Sequence, residues 1–373
     1  MGTNDEDFTL GIEEEYQIID PETRQLCGRA GKILSLAREK LEEDTVQREM
    51  HRSQIEIATP VCRDLREVRS ELERARGAIV EAAHRDGKAI AAAGTHPFSS
   101  WKQQQVTSKE RYEQLEQDYQ QIVRDLIIFG CHVHVGVSDR ALAIEVMNRA
   151  RIWLSVLLAL AGNSPFWVGE ETGYDSYRTE LWSRWPLSGP PAVFANEEEY
   201  QGLIDDLIAT GVIEDATKIY WDIRLSERFP TVEFRATDVC MTVDEAVAIA
   251  GLARGLVKTC YESAIAGIPF KPVRSELLRV SHWWAARYGL DSKLIDVLES
   301  RPVPARALVQ KFLDYIRPAL EELGEWEEVS QQVNLILEEG NGAKRQRRVY
   351  QRAGSYEDVV DFIVEQTQSF SSR

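Results

Sequence analysis

The sequence predicts an α+β protein built on a largely antiparallel sheet. Strand-like segments concentrate in the first two thirds of the chain, helical segments are inserted among them, and nearly everything from Val243 onward is helical in pattern. No repeat, low-complexity tract or linker divides the 373 residues, so 1–373 reads as a single domain.

Phe8 to Asp20 alternates, runs apolar and stops at Asp20-Pro21, the pattern of a strand ending in a turn. Glu49 to Ala58 reads as a second strand, closed by Thr59-Pro60. Between Asp64 and Asp86, Leu65, Val68, Leu72, Ala75, Ile79 and Ala82 recur at helical spacing among charges, which predicts an amphipathic helix. Ala89 to Ala93 is a short apolar strand. Ser108 to Leu126 is a polar helix with Ser108 as its N-cap, and Ile127 to Val137 is a strand broken near Gly130. Asp139 caps a helix running towards Ala161. The stretch from Asn163 to Pro191, with four prolines and three tryptophans, is too long and aromatic for a simple connector and predicts an ordered, site-shaping loop. Tyr220 to Leu225 and Thr231 to Thr237 form a strand pair.

Composition excludes several functions. With 61 acidic against 44 basic residues the net charge is −17, a poor match to nucleic acid as main partner. No stretch approaches the apolar length of a membrane span, Ile152 to Gly162 being a buried helix, and MGTNDEDFTLGIEEEY lacks the features of a secretory signal. The reading is a cytoplasmic protein. Its five cysteines, Cys27, Cys62, Cys131, Cys240 and Cys260, show no CxxC spacing and read as reduced, mostly packed thiols.

Four strands carry unusual polar residues. Glu13 and Glu15 would share a strand face about 7 Å apart. Three consecutive acids otherwise suggest a solvated patch, but Leu10, Ile12, Ile18 and Ile19 around them imply burial, which acids do not tolerate without a partner. Gly130-Cys131-His132-Val133-His134-Val135-Gly136 places two of six histidines on one face, a pattern suited to a metal or a phosphate. Glu56 lies between Ile55 and Ile57, with Glu49 upstream, and Glu233 shares a face with Arg235. A cross-strand salt bridge would explain any one of these. Four together suggest a polar tunnel holding cations, and oxygen-rich ligand sets suit Mg²⁺ or Mn²⁺ rather than zinc. No phosphate-binding loop accompanies them: Gly31-Lys32 is followed by Ile33 and preceded five residues earlier by Leu26, and Gly340-Asn341-Gly342-Ala343-Lys344-Arg345 is not GxGxxG.

Gly11-Ile12-Glu13-Glu14-Glu15-Tyr16, Gln54-Ile55-Glu56-Ile57-Ala58-Thr59-Pro60, the His132/His134 strand and Thr231-Val232-Glu233-Phe234-Arg235 resemble, in order, the metal-site strands of glutamate–cysteine ligase family 2, within it the YbdK-type carboxylate-amine ligases. Asn163-Ser164-Pro165-Phe166-Trp167, Tyr174-Asp175-Ser176-Tyr177-Arg178, Trp182-Ser183-Arg184-Trp185-Pro186 and Gly340 to Arg347 resemble further family signatures, so the likeness spans about Phe8 to Thr367.

The resemblance implies the glutamine synthetase-like catalytic fold, a curved sheet forming a funnel flanked by helices, with ATP as co-substrate and two or more Mg²⁺ (or Mn²⁺) ions. It assigns Glu15, Glu49 and Glu56 to one ion and Glu13, His132 and Glu233 to another. His134 would face the phosphates. Arg224, Arg235 and Glu56 are the catalytic candidates, the arginines stabilising charge on the transferred phosphoryl. His134, Arg224, Arg178, Lys344 and Arg345 are the candidates for nucleotide contact, Arg178 being suited equally to a substrate carboxylate, while Lys344, Arg345, Arg347 and Arg348 read equally well as a solvated basic segment.

The implied partners are a glutamate-like acid and a small cysteine-like amine, with a homodimer as the assembly left open. Two other readings stay open: a metal-dependent hydrolase of the amidohydrolase type, which also begins with H-x-H but needs further histidines, of which only His282 follows, and a catalytically silent nucleotide-binding homologue.

Overall fold

A computed structural model describes residues 6–108 and 110–370. The reading of the N-terminus and of the helix start at Ser108 therefore falls partly outside the described residues.

The central sheet holds β1 (Leu10–Ile19), β2 (Val46–Arg48), β3 (Gln54–Ala58), β4 (Ala89–Ala91) and β5 (Gly130–Gly136). A hairpin of β6 (Phe166–Trp167) and β7 (Glu170–Glu171) stands apart, and β8 (Ile223–Leu225) and β9 (Thr231–Asp238) complete the sheet. Its order is β2-β3-β1-β5-β9-β8 with β4 beside β1, every pairing antiparallel and the sheet open. This is the expected α+β class.

Alternation along β1 sets the plan of the molecule. Glu13 and Glu15 face one side, while Glu14 points to the other, where it forms an ion pair (2.6 Å) with the fully buried Arg76 of the helix Leu65–Arg85. That helix starts where Asp64 accepts hydrogen bonds from Arg66 and Glu67 amides. Behind it lies the longest helix, Val243–Ile265, opened by a capping box between Thr242 and Glu245 and packed against helices Arg140–Ala150, Ala305–Glu322 and Trp326–Glu339. One apolar core joins these helices to the back of the sheet, from Phe8 to Ile363. A second cluster, including Leu115, Leu126, Ile128, Trp185 and Tyr220, lies on the other side of the sheet.

Several elements differ from expectation. The segment from Glu49 to Ala58 is not one strand: β2 ends at Arg48, and His51 donates its amide to the Gln54 side chain (3.0 Å) rather than to a ladder, leaving Glu49 in a turn. The helix expected from Ser108 to Leu126 breaks into Glu110–Tyr119 and Gln121–Arg124 at Gln120, whose φ is 50°. Ser108 Oγ donates to the Glu113 carboxylate (2.9 Å). The C-terminal region also contains a hairpin, β10 (Lys293–Asp296) with β11 (Arg301–Pro304), masked in the sequence by Pro302 and Pro304. All five cysteines are unpaired, and all but the half-buried Cys27 are buried. No helix among the described residues is long and apolar enough to cross a membrane.

Candidate active site

The polar face of the sheet closes over a cavity of about 410 Å³. Glu13, Glu15, Glu49, Glu56, His132, His134, Arg178, Arg224, Glu233 and Arg235 all line it. Strand register brings them together: Glu13 lies opposite His132, Glu15 opposite Glu56, and Glu233 opposite both His134 and Arg224.

Two sets of acids differ in their electrostatics. In the first, Glu13, His134 and Glu233 each offer one ligand atom, and these lie within 4.8 Å of one another. His134 Nδ1 bonds Thr231 Oγ1 (3.0 Å), while its Nε2 is buried without a hydrogen-bond partner, 3.5 Å from Glu13 Oε1. An orphaned imidazole nitrogen between two carboxylates fits a divalent cation. His132 instead donates Nδ1 to Glu13 Oε2 (3.1 Å).

The expected division put His132 with Glu13 and Glu233; the structure groups His134 with these two acids and hydrogen-bonds His132 to Glu13. The register of β5 against β9 shifts between Cys131 and Val133, which leaves His134 directly across from Glu233. Burial works against the ionised form of Glu13, but the hydrogen bond from His132 and the nearby His134 imidazole hold its carboxyl well below the ordinary value. Burial and Arg235 push His132 down to about 4, whereas for His134 the pull of burial is outweighed by Glu13 and Glu233, which raise it.

Glu233 is ion-paired twice, to Arg224 Nε (2.8 Å) and to Arg235 Nη1. Burial opposes its charge, yet Arg235 and Arg224 hold it far below the usual carboxylate range. Glu233 thus aims both guanidiniums into the cavity.

The second set has too few cations. Burial and the charge of Glu49 push Glu15 up to about 7, and burial with the charges of Glu49 and Glu13 raises Glu56 well above its ordinary value. Carboxyls raised by one another in this way form an acidic set whose charge a divalent cation would offset. Glu15 Oε2 also accepts from the Gly130 amide (2.6 Å).

Arg178, 3% exposed, arrives from the expected site-shaping segment on the short helix Tyr177–Trp182. It can lie flat on β5 only because position 130 is glycine: a Cβ there would stand 2.4 Å from Arg178 Nη2. Its Nε has no hydrogen-bond partner, and neither do the indole nitrogens of Trp182 and Trp185 on the same wall. Donors without acceptors suit this wall of the cavity to an anionic or carbonyl oxygen.

Lys344 and Arg345 do not reach the cavity. Lys344 pairs with Asp291 and Arg345 with Glu245. Their helix, Gly342–Ala353, buttresses the Asn163 segment instead: Gln346 donates to Asn163 Oδ1 (2.7 Å), Asn341 to Asp175 Oδ2 (2.9 Å), and Arg347 holds Asp175. Asp238, which accepts from Ser164 and Ser176 (2.7 Å each), fixes the other side of that segment. The wall also contains Arg111, Tyr112 and Phe229, which motif reading missed because they come from segments without a strand pattern.

Residues 9–362 match the model of the glutamate-cysteine ligase family 2. The chain belongs to this family. A relative from Rhodopirellula baltica, named "Putative glutamate--cysteine ligase 2", is 42% identical over 96% of both chains, and one of the same name from Sorangium cellulosum is 42% identical over 98% of both. Among solved structures, the fold is similar to glutamate–cysteine ligase from Francisella tularensis in complex with AMP (TM-score 0.72, 14% identity, 98% of this chain and 90% of that one). It is also similar to a bifunctional glutathione synthetase from Pasteurella multocida (TM-score 0.71, 15% identity, 98% of this chain and 52% of that one). The protein is therefore a ligase enzyme with the fold of glutamate–cysteine ligase, and its family supports carboxylate–amine ligation. The hydrolase reading finds no footing: His282 lies 3.3 Å from Asp222 and off the cavity wall.

Proposed function

We propose that this family 2 ligase uses ATP to activate the carboxylate of a glutamate-like acid as an acyl phosphate, releases ADP and phosphate, and joins the acyl group to a small cysteine-like amine. The observation that carries the reading is the union, in one cavity, of two carboxylate sets with the buried Arg178 and the half-buried Arg224 and Arg235. A carboxylate oxygen is a poor leaving group until it is phosphorylated, so amide formation in water requires such activation.

The residues fit that chemistry. Arg224 and Arg235, held by Glu233, would meet negative charge spread over the transferred phosphoryl. Arg178, which shares the Trp182 ring with Arg235, and the Trp182 and Trp185 indoles would bind acid oxygens. Glu13, His134 and Glu233 would hold one divalent ion and Glu15, Glu49 and Glu56 another, Mg²⁺ or Mn²⁺ by the oxygen-rich ligand set. When bound, such ions offset triphosphate charge and orient the γ-phosphoryl group. The apolar wall of Leu115, Leu126, Ile128 and Tyr220 limits water, which would otherwise hydrolyse an acyl phosphate.

The test is a matrix of candidate acids and amines, followed by ADP release. The expected result is ADP formation that depends on both an acid and an amine, and on divalent metal. Amide cleavage without ATP would contradict the proposal, as would ATP binding with no turnover for any pair.

A further inference from the structure

Asp222 and His282 form a buried pair behind the active-site wall, with His282 Nε2 3.3 Å from Asp222 Oδ2 and neither residue lining the cavity. Asp222 Oδ2, His282 Nδ1, Arg178 Nε and Arg235 Nε are all buried without a hydrogen-bond partner. A buried carboxylate needs cations close by. The fold supplies two.

Strand register sets Asp222 beside Arg235. Arg224 lies opposite Glu233 and Ile223 opposite Phe234, so Asp222, one residue earlier, comes opposite Arg235, whose amide donates to the Asp222 carbonyl (2.8 Å). Strand alternation continued by that one residue gives Asp222 the same face as Arg224, Glu233 and Arg235. The Asp222 amide donates in turn to the Gly189 carbonyl (3.0 Å), at the end of the site-shaping segment.

Arg178 reaches the same place from its short helix. Its guanidinium and that of Arg235 each stand 5.9 Å from the centre of the Trp182 ring, so two like charges share one indole. Glu233 pairs with Arg235, whereas Arg178 makes no ion pair among the described residues. Three carboxylates, Glu15, Asp222 and Asp238, feel the charge of Arg178. Glu15 belongs to the acidic set of the cavity, and Asp238 already accepts from the Ser164 and Ser176 hydroxyls (2.7 Å each) and the Asn163 amide (2.8 Å). Asp222 Oδ2 is the buried oxygen left over. Burial raises the Asp222 carboxyl above its ordinary value, against the pull of His282, Arg178 and Arg235.

His282 joins this pair to the helix that carries Arg178. It sits on the helix Ser275–Tyr288, where one turn further on the Ala286 carbonyl accepts the amides of Asp175 (2.8 Å) and Ser176 (3.0 Å). Ser176 caps the helix Tyr177–Trp182.

We propose that Asp222, oriented by His282, is a positioning residue of the ligase, whose carboxylate holds Arg178 and Arg235 side by side at the Trp182 ring so that one meets the acid and the other the transferred phosphoryl. The roles of the two arginines rest on the ligase reading; their positions do not.

The test begins without turnover. Asp222→Asn keeps size and removes the charge, His282→Ala removes the orienting group, and His282→Gln returns a donor near the place of Nε2. NMR of the full chain follows the Nε–H signals of Arg178 and Arg235, assigned with Arg178→Lys and Arg235→Lys. Both signals should move by more than a linewidth in Asp222→Asn and in His282→Ala, and return towards the wild type in His282→Gln. Unmoved signals in Asp222→Asn would overturn the proposal whatever happens to activity, and should that variant not fold, unmoved signals in His282→Ala decide the same way. With an active acid–amine pair, Asp222→Asn should raise the KM for the acid and lower kcat by about tenfold or more each, while the KM for ATP changes by less than about threefold. A lower kcat with both KM values unchanged would mean only less active protein and would overturn the positioning role. Signals that move in a protein that joins no acid to any amine would uphold Asp222 as the holder of the two arginines and reject the ligase reading.

Discussion

Glu15 and His134 carry the sharpest expectations among single residues. Glu15→Gln keeps size and removes a charge, so metal-dependent ADP release should fall by about 100-fold or more while the fold survives. The same variant has a pH signature. The folded value of Glu15, about 7, lies above its ordinary 4.5, so the folded state of the metal-stripped enzyme holds the extra proton. The stability from this group is fully present below 4.5 and is lost as pH rises through 7. Thermal melts of metal-stripped wild type should therefore lose stability across that interval more steeply than melts of Glu15→Gln, and parallel melting curves would contradict the assignment. For the histidines, His134→Ala should raise the half-saturating metal concentration by about 10–100-fold, while His132→Ala, which removes a hydrogen bond to Glu13, should shift it less. Metal titrations of ADP release decide between them. Which histidine joins the acids was not legible in the H-x-H spacing, because that spacing fixes a shared face but not a β-bulge one residue away.

At the scale of elements, the strands that build the site were readable because acids and histidines inside apolar runs break the rule for buried strands. Glu13, Glu15, Glu56 and Glu233 were found that way. Less legible was whatever depends on distant partners. Glu14 looked like one more acid of a triplet, yet it is committed to Arg76, 62 positions away on a helix whose charges looked solvent-facing. Arg76→Met would leave that carboxylate buried and unpaired, and should cost about 3–5 kcal/mol in urea unfolding. Adding Glu14→Gln should recover part of the loss. The basic Lys344-Arg345-Gln346-Arg347 run suggested nucleotide contact, but charge spacing does not say that acids of other elements will claim it. Strand β5 allows a further test through its glycine. Gly130→Ala places a methyl where the Arg178 guanidinium lies, and should raise the KM for the acid by up to about 100-fold with the KM for ATP little changed. Steady-state kinetics with each substrate varied in turn would check this, and an equal rise in both KM values would remove Arg178 from the acid end.

The whole molecule separates structural from chemical duties across one sheet. Its back face joins helices in a core from Phe8 to Ile363, and its front face carries charges that burial makes costly. Under the proposed function, the net charge of −17 has to be offset locally before a polyphosphate can approach, which Arg178, Arg224 and Arg235, together with divalent cations held by the acids, would do. The central claim is that the enzyme activates its acid by phosphorylation. Once an active acid–amine pair is known, the most direct measurement uses acid labelled with ¹⁸O in the reacting carboxylate and follows the label by mass spectrometry. One labelled oxygen should reach inorganic phosphate for each amide formed, with ADP as the nucleotide product. Unlabelled phosphate, or AMP with pyrophosphate, would contradict it.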